Sequence, residues 1–505
     1  MYRLISLVIS AVLIFSIVGC VAPNISENNQ QSPSNSTPSG NVQSPTNSQP
    51  ASGDHIHQYV DWTVITELSC ETDGVKTSTC TTCGETTVET TKATGHSFEN
   101  DVCVYCKWVK PVPSEGLTFE LNEYKTGYLV TDIGSFTGEN LVIPDTYEGL
   151  PVVEIDPQAF RDAKFISAYI PDSVTIIRAA AFQNCKSLTS VTGMRNVVFI
   201  DSYAFTNCSA LQDFHFPNNM VQLGDQLFNG CTSLTSLHIP ASITKLDGRF
   251  SSSFYQPVNM LGAPNLTSLT VDPNNPVLYS SGNCLIHREK KKLLAGCANS
   301  VIPNDGSVTS IADHAFARTQ LEQITLPDGI EYIGSHIFDE TPFYDDSNNW
   351  KEYENGKALY INNYLIEADI YYGTFVIEEG TILVAKDVLD GSLLSKVQFP
   401  SSMRYLGNSL FSGCEYLKEI IFLHGLEELS SNMMLGVANV ESITLPSSIT
   451  CIYGGALSGQ LQSIYYDGTI AQWEAIEKYS GWKNGVYFFD PLTIYCTDGE
   501  IVITE

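Results

Sequence analysis

Three consecutive stretches of 23 residues lie over one another without a gap, and no other feature restricts the possible folds so tightly. They are AFQNCKSLTSVTGMRNVVFIDSY from Ala181, AFTNCSALQDFHFPNNMVQLGDQ from Ala204 and LFNGCTSLTSLHIPASITKLDGR from Leu227. The second position is Phe182, Phe205 and Phe228, and the fifth is Cys185, Cys208 and Cys231. Leu188, Leu211 and Leu234 hold the eighth; Val191, Phe214 and Leu237 hold the eleventh. The seventeenth and twentieth are apolar throughout: Val197, Met220 and Ile243, then Ile200, Leu223 and Leu246. Phe160 stands 22 residues before Phe182. The pattern returns from Ala315-Phe316 through Leu326-Pro327 to Ile337-Phe338, and from Leu410-Phe411 through Met434-Leu435 to Ala456-Leu457. A fixed period of this length is the signature of a stacked repeat.

Each block reads as one coil. Two inward positions flank one outward residue, as in Leu237-His238-Ile239, which is strand periodicity. Pro217, Pro240, Pro327 or Pro446 follows, with no N–H to extend a ladder, and ends the strand. A turn and a second short apolar stretch bring the chain around to the next Ala-Phe pair. One coil cannot cover its own apolar residues, so neighbours above and below must bury them. About seven inward side chains per coil, at roughly 1.5–3 kcal/mol each, make stacking the main stabilising term.

Blocks of the form L-x-x-I-x-I-P-x-x-I-x-x-I-x-x-x-A-F-x-x-C resemble the BspA-type leucine-rich repeats of bacterial surface proteins, over roughly residues 117 to 505. The resemblance implies a β-rich, right-handed leucine-rich-repeat solenoid with a parallel sheet along one face, and adhesion or host-binding roles for some members. About fourteen coils at about 4.8 Å per strand would give a body about 65 Å long. The expected solenoid runs over 156–464, with a linker and strand-rich N-terminal cap at 111–155. A C-terminal cap of a short helix and a strand is expected at 465–505. Segments 250–300 and 341–395 loosen the register. They read either as insertions on a binding face or as degenerate coils with longer turns.

The N-terminus speaks to the compartment. Met1-Tyr2-Arg3 and the apolar run Leu4 to Val18 have the build of a signal peptide, too short for a comfortable membrane span. Ile17-Val18-Gly19-Cys20 resembles the lipobox of bacterial lipoproteins, which implies cleavage before Cys20 and lipidation of its thiol. An anchor of two or more acyl chains holds firmly, since each buried methylene contributes about 0.8 kcal/mol. Residues 21–53 follow as a Ser/Pro/Asn-rich tether, expected to be disordered, whose apolar side chains after Val21 and Ala22 are only Ile25, Val42 and Ala51. No later stretch is apolar enough to cross a bilayer. Net charge is −30, with 26 basic against 56 acidic residues. So acidic a body repels phosphate backbones, which argues against nucleic acid as a partner.

Residues 54–110 form a His/Cys-rich module. Cys80-x2-Cys83 and Cys103-x2-Cys106, nineteen residues apart, can offer four thiolates to one structural zinc ion. His57, Cys70 and His96 complicate the set. The segment also resembles His/Cys-rich repeats found ahead of repeat domains in anaerobe surface proteins, and that resemblance favours His57, Cys70, Cys80 and Cys83. Disulfide bonding outside the cytoplasm is a third possibility. A module of this size, with few large apolar residues, needs a staple of some kind.

Chemistry is hard to find. The chain has no G-x-S-x-G, G-x-x-x-x-G-K-[ST], H-E-x-x-H or dinucleotide-binding fingerprint. His215, His238, His314, His336 and His424 fall at outward strand or turn positions of the repeat. The repeat cysteines should form a buried, reduced column of small apolar fillers. Asp345-Asp346 beside Asn348-Asn349 lacks the spacing of a calcium loop and reads as a solvated acidic loop. The expected function is therefore non-catalytic: a lipid-anchored, extracytoplasmic protein that binds an extracellular protein or glycan. Outward strand positions, and exposed tyrosines such as Tyr344, Tyr353, Tyr360, Tyr371 and Tyr372, are where contacts are expected. A self-associating structural envelope component is the alternative, and an unrecognised hydrolase a distant third.

Overall fold

The computed structural model describes residues 58–66, 74–79, 81, 86–91, 98–99, 102–105, 109–246, 261–434, 437, 439–457, 460–482 and 491–503. The chain divides into two units, Met1–Gln58 and Tyr59–Glu505, and the repeats belong to the second. The leader, Cys20 and the tether lie outside the described residues. Among the described residues, no helix is long and apolar enough to cross a membrane.

The repeat builds a parallel β-solenoid of about 14 turns with little helix. Each coil is bonded to its neighbours along three sides. On the first, four-residue strands such as Ser442–Leu445 pair in parallel and in register with the strands before and after them. Ile443 lies opposite Ile420 on one side and Ile464 on the other. The inward row Phe375, Val397, Ile420, Ile443, Ile464 and Ile494 is fully buried. On the second side, two-residue strands pair the same way, as Ile176–Ile177 does with Phe199–Ile200. Strand Ser236–Ile239 stops before Pro240 and Ser442–Leu445 before Pro446, as the missing N–H requires.

Two expected strands do not form, one before Pro217 and one before Pro327. At Phe214-His215-Phe216 only an isolated bridge, Asp213 to Ser190, remains. Both inward positions there carry phenylalanine, packed edge to face at 5.1 Å.

The third side is the Ala-Phe corner, which is neither helix nor strand. Alternate N–H groups donate to the next coil: Gln158 to Ala179, Phe160 to Ala181 and Asp162 to Gln183, repeated from Ala180, Phe182 and Asn184. This geometry needs left-handed backbone two residues before and two after each phenylalanine. Gln158, Ala180, Tyr203, Gln226, His314 and His336 occupy the first column, at φ between 51° and 63°. Asp162, Asn184, Asn207 and Gly230 occupy the second, at φ from 60° to 75°. Asn, Asp and Gly tolerate that conformation best. Asn207 Nδ2 donates to Asn184 Oδ1, and Asn184 Nδ2 to Asp162 Oδ1, each at 2.9 Å.

Inside the corner, Phe160, Phe182, Phe205 and Phe228 form one file, with successive ring centroids 5.3, 5.1 and 6.1 Å apart and planes within 28°. The cysteines stack beside them. Cys185, Cys208 and Cys231 donate S–H to the carbonyls of Phe160, Phe182 and Phe205 at 3.0 to 3.1 Å. A small side chain with a weak donor is what that carbonyl-lined slot accepts. In the coils of Phe316 and Phe338, Thr319 and Thr341 take the position and bond the carbonyls of those same phenylalanines.

The two loose segments are decorated coils. Leu278–Ser281, Cys284–His287 and Lys292–Ala295 make an antiparallel meander whose last strand rejoins the parallel ladder at Ser310–Ile311. Trp350–Tyr353, Gly356–Ile361 and Tyr364–Ile370 do the same, rejoining at Leu383–Val384. Each docks through a buried polar residue that reaches back to a proline turn. Asn275 Nδ2 bonds the carbonyls of Pro240 and Ile243, and Tyr364 donates to the carbonyl of Pro327. Tyr344, Tyr353 and Tyr360 are thus half-buried against the core rather than exposed; only Tyr371 and Tyr372 of the five reach solvent freely. The apolar interior forms two clusters, Leu117 to Cys297 and Cys284 to Ile494.

The ends are closed differently. Thr118–Leu121 pairs antiparallel with Tyr128–Asp132, which starts the parallel ladder. At the far end, helix Ile470–Ala475 opens with a capping box between Thr469 and Gln472. Leu492–Cys496 adds to the long-strand sheet and is covered at its edge by Gly499–Ile503.

Candidate functional site

The solenoid's long-strand side presents its outward residues as straight rows, because parallel strands in register place equivalent side chains side by side. In the C-terminal half one row runs Val376, Gln398, Ile421, Thr444, Tyr465 and Tyr495. None of the six is charged. Tyr465 and Tyr495 stack at 5.3 Å and are 47% and 41% exposed, and Val376 is 51% exposed. The adjacent row is Thr374, Lys396, Glu419, Ser442, Ser463 and Thr493. Its one cation and one anion pair with each other at 2.9 Å. In a chain of net charge −30, two neighbouring rows six strands long thus sum to zero. Charges gather at the margins instead, as in the Lys418–Glu441 pair at 2.8 Å.

The N-terminal half shows the same tendency. Tyr169 lies beside Thr192, and His238 beside Thr270 with its Nδ1 2.9 Å from the hydroxyl. Burial pushes the His238 pKa down, which favours the neutral ring. On another side, a groove of about 450 Å³ is lined by Glu331, Arg404, Tyr405, Glu428 and Tyr453, and it carries charges of both signs.

The third concentration of chemistry is at the Phe338 corner. His336 Nδ1 lies 3.2 Å from Asp339 Oδ2, and Glu367 approaches from the second meander; ligand atoms of the three lie within 4.8 Å of one another. The hydrogen bond to Asp339 raises the His336 pKa to about 9, and burial raises that of Glu367 to about 7.

The histidines sit where the repeat register puts them: His238 outward on a strand, His314 and His336 at left-handed corners, stacked at 5.6 Å. In the N-terminal module, Thr63–Thr66, Gly74–Thr79 and Thr86–Thr91 form a three-stranded antiparallel sheet. Cys103 is buried at the end of a two-strand pairing, with Phe98 opposite it. His57, Cys70, Cys80, Cys83, His96 and Cys106 lie outside the described residues.

A parallel coiled ladder with apolar files inside is the scaffold of a leucine-rich-repeat protein. The chain belongs to the BspA-type leucine-rich-repeat family, whose model matches in six copies over residues 153–267, 291–351 and 359–478. The first gap in that match, between 267 and 291, coincides with most of the first meander. Among solved structures, a leucine-rich cell surface protein from Faecalibacterium prausnitzii is 24% identical, with 73% of this chain and 98% of that one covered and a TM-score of 0.32. The leucine-rich-repeat protein TpLRR of T. pallidum is 22% identical over 44% of this chain and 86% of that one, with a TM-score of 0.31. The pneumococcal vaccine antigen PcpA is 15% identical over 77% and 93%, with a TM-score of 0.35. No curated protein matches.

Proposed function

We propose that this protein is held by a lipid outside the cytoplasm and uses the uncharged side of its solenoid to bind an extracellular protein or glycan. The observation that carries the reading is the row from Val376 to Tyr495, uncharged in so acidic a chain. Interface centres are depleted of charge and enriched in tyrosine, with charged residues left at the rim. At about 4.8 Å per strand, six strands offer a strip about 25 Å long. Membership of a family of repeat proteins agrees with a binding scaffold rather than a catalytic one.

A charge placed in the middle of the row should remove binding without unfolding the coil. Thr444→Glu combined with Gln398→Glu, two strands apart in the row, should weaken capture on arrays of matrix proteins and glycans at least tenfold, with the melting temperature little changed. Lys186→Glu, on a different side, serves as the control. Capture that survives the double substitution and disappears with the control would contradict the proposal.

Cys20 is the proposed lipid attachment point, the tether holds the solenoid off the membrane, and Cys80, Cys83, Cys103 and Cys106 are proposed to hold a structural zinc ion. Cys103 is buried at the end of a short strand pair, with Phe98 opposite it. Cys20→Ser should move the protein from the membrane fraction to the soluble one; unchanged partition would sink the anchor. One equivalent of zinc released by a thiol-specific mercurial would support the metal, and disulfides with no zinc would refute it.

A further inference from the structure

The corner columns of the repeat hold side chains of many kinds. At the Phe338 corner three metal-ligating groups converge. His336 stands in the left-handed column two before the phenylalanine, at φ 55°, and Asp339 follows three residues later. Glu367 comes from elsewhere. It lies on Tyr364–Ile370, past the two residues, Tyr364 and Leu365, that this strand lends to the ladder. The meander's extra length is what delivers a carboxylate to a corner formed well before it in the chain.

We propose that His336, Asp339 and Glu367 bind one divalent metal ion of the zinc or manganese type, pinning the second meander to the regular coil. Three nitrogen and oxygen ligands about 2.0–2.2 Å from a shared ion stand roughly 3–4 Å apart. The His336–Asp339 separation of 3.2 Å is already such an edge, and all three ligand atoms fall within 4.8 Å, so small side-chain rotations close the set.

Two further observations point to a cation. The Glu367 side chain is half-buried, with the His336 ring as a favourable charge nearby and Asp339, Asp369 and Asp387 as like-charged neighbours. A carboxylate so placed is costly unless a cation neutralises it. Next to it in the column, the His314 ring lies parallel to that of His336 at 5.6 Å, and its Nδ1 is buried without a hydrogen-bond partner. The donor set is one imidazole and two carboxylates with no sulfur, which suits zinc, manganese or cobalt over softer ions. Three protein ligands leave coordination open to water. The plain alternative is a His–Asp ion pair with Glu367 as a bystander.

The two are separated on the full-length chain by equilibrium dialysis against zinc chloride followed by elemental analysis. Zinc held by the N-terminal module contributes equally to every sample. The wild type should hold one equivalent more than Glu367→Gln or His336→Gln, and zinc should raise the melting temperature of the wild type by more than that of either variant. Equal stoichiometry in folded variants overturns the proposal. A readout that needs no variant is carbethoxylation of His336 by diethyl pyrocarbonate at about pH 8, where part of this ring is neutral, followed by peptide mass spectrometry. Zinc should slow it at least tenfold relative to His424, whose nearest charged partner is Asp467 at 3.4 Å. Equal rates with and without zinc would leave the ion-pair reading standing and end this one.

Discussion

Phe205→Ala should destabilise the N-terminal half of the solenoid by about 3–5 kcal/mol, the usual cost of emptying a buried aromatic site. Phe205 is fully buried and touches three other rings: Phe182 at 5.1 Å, Phe214 at 5.0 Å and Phe228 at 6.1 Å. The file is continuous, so the cavity cannot close by shifting one neighbour without opening a gap at the next. Because each coil contacts only adjacent coils, the damage should stay local. Phe205 belongs to the cluster from Leu117 to Cys297, and the second cluster runs to Ile494. Urea unfolding followed by peptide-resolved labelling should show residues 117–246 opening at lower urea, with 373–503 unmoved. A uniform loss across both halves would mean the coils do not behave as stacked layers, and no loss would mean Phe205 is not core.

The second large effect concerns the thiols. Cys231 and Cys284 are fully buried, and burial pushes each pKa from 9.0 up to about 12. Since the thiolate is the reactive form, the reactive fraction near pH 8 falls by about a thousandfold, before any loss of access is counted. Labelling of these two cysteines by a maleimide should therefore be at least about a thousandfold slower in the folded chain than in urea. Cys208, between Cys185 and Cys231, is shifted upward as well. Rapid modification of Cys231 under native conditions would refute the buried column. Resistance to labelling is also why such a column can persist in an oxidising compartment: the thiolate needed to start disulfide exchange hardly forms.

The parts of this fold legible in the sequence are those where one physical demand recurs at one position. Phe182, Phe205 and Phe228 share a letter because the file accepts one ring per coil. Cys185, Cys208 and Cys231 do so because the slot beside a phenylalanine carbonyl is small. The first left-handed column, two residues before each phenylalanine, leaves no such mark. Backbone at φ near 60° is held by Gln158, Ala180, Tyr203 and His336 alike, so inter-coil hydrogen bonds rather than residue type fix it. The meanders are visible in the sequence only as a loss of register. Tyr344, Tyr353 and Tyr360 look like surface residues there because their environment is supplied by strands folding back over them.

The candidate binding row is harder still to read. Val376, Gln398, Ile421, Thr444, Tyr465 and Tyr495 share no letter, and their common property is the absence of charge, which shows only once the strands are in register. Glu367 illustrates the same limit, since nothing in its local sequence says which corner its strand will reach. Side chains that meet through one repeated contact leave a pattern; side chains that meet through an insertion leave none.

Hydrogen–deuterium exchange across the solenoid probes the layered architecture most directly. The N–H groups of Phe160, Phe182, Phe205 and Phe228 donate respectively to Ala181, Ala204, Leu227 and Leu261 of the following coil. Slow exchange should recur at these amides and at the strand residues of each coil, with the same spacing as the phenylalanines. Protection scattered without that spacing, or phenylalanine amides exchanging as fast as exposed turns, would contradict the stack.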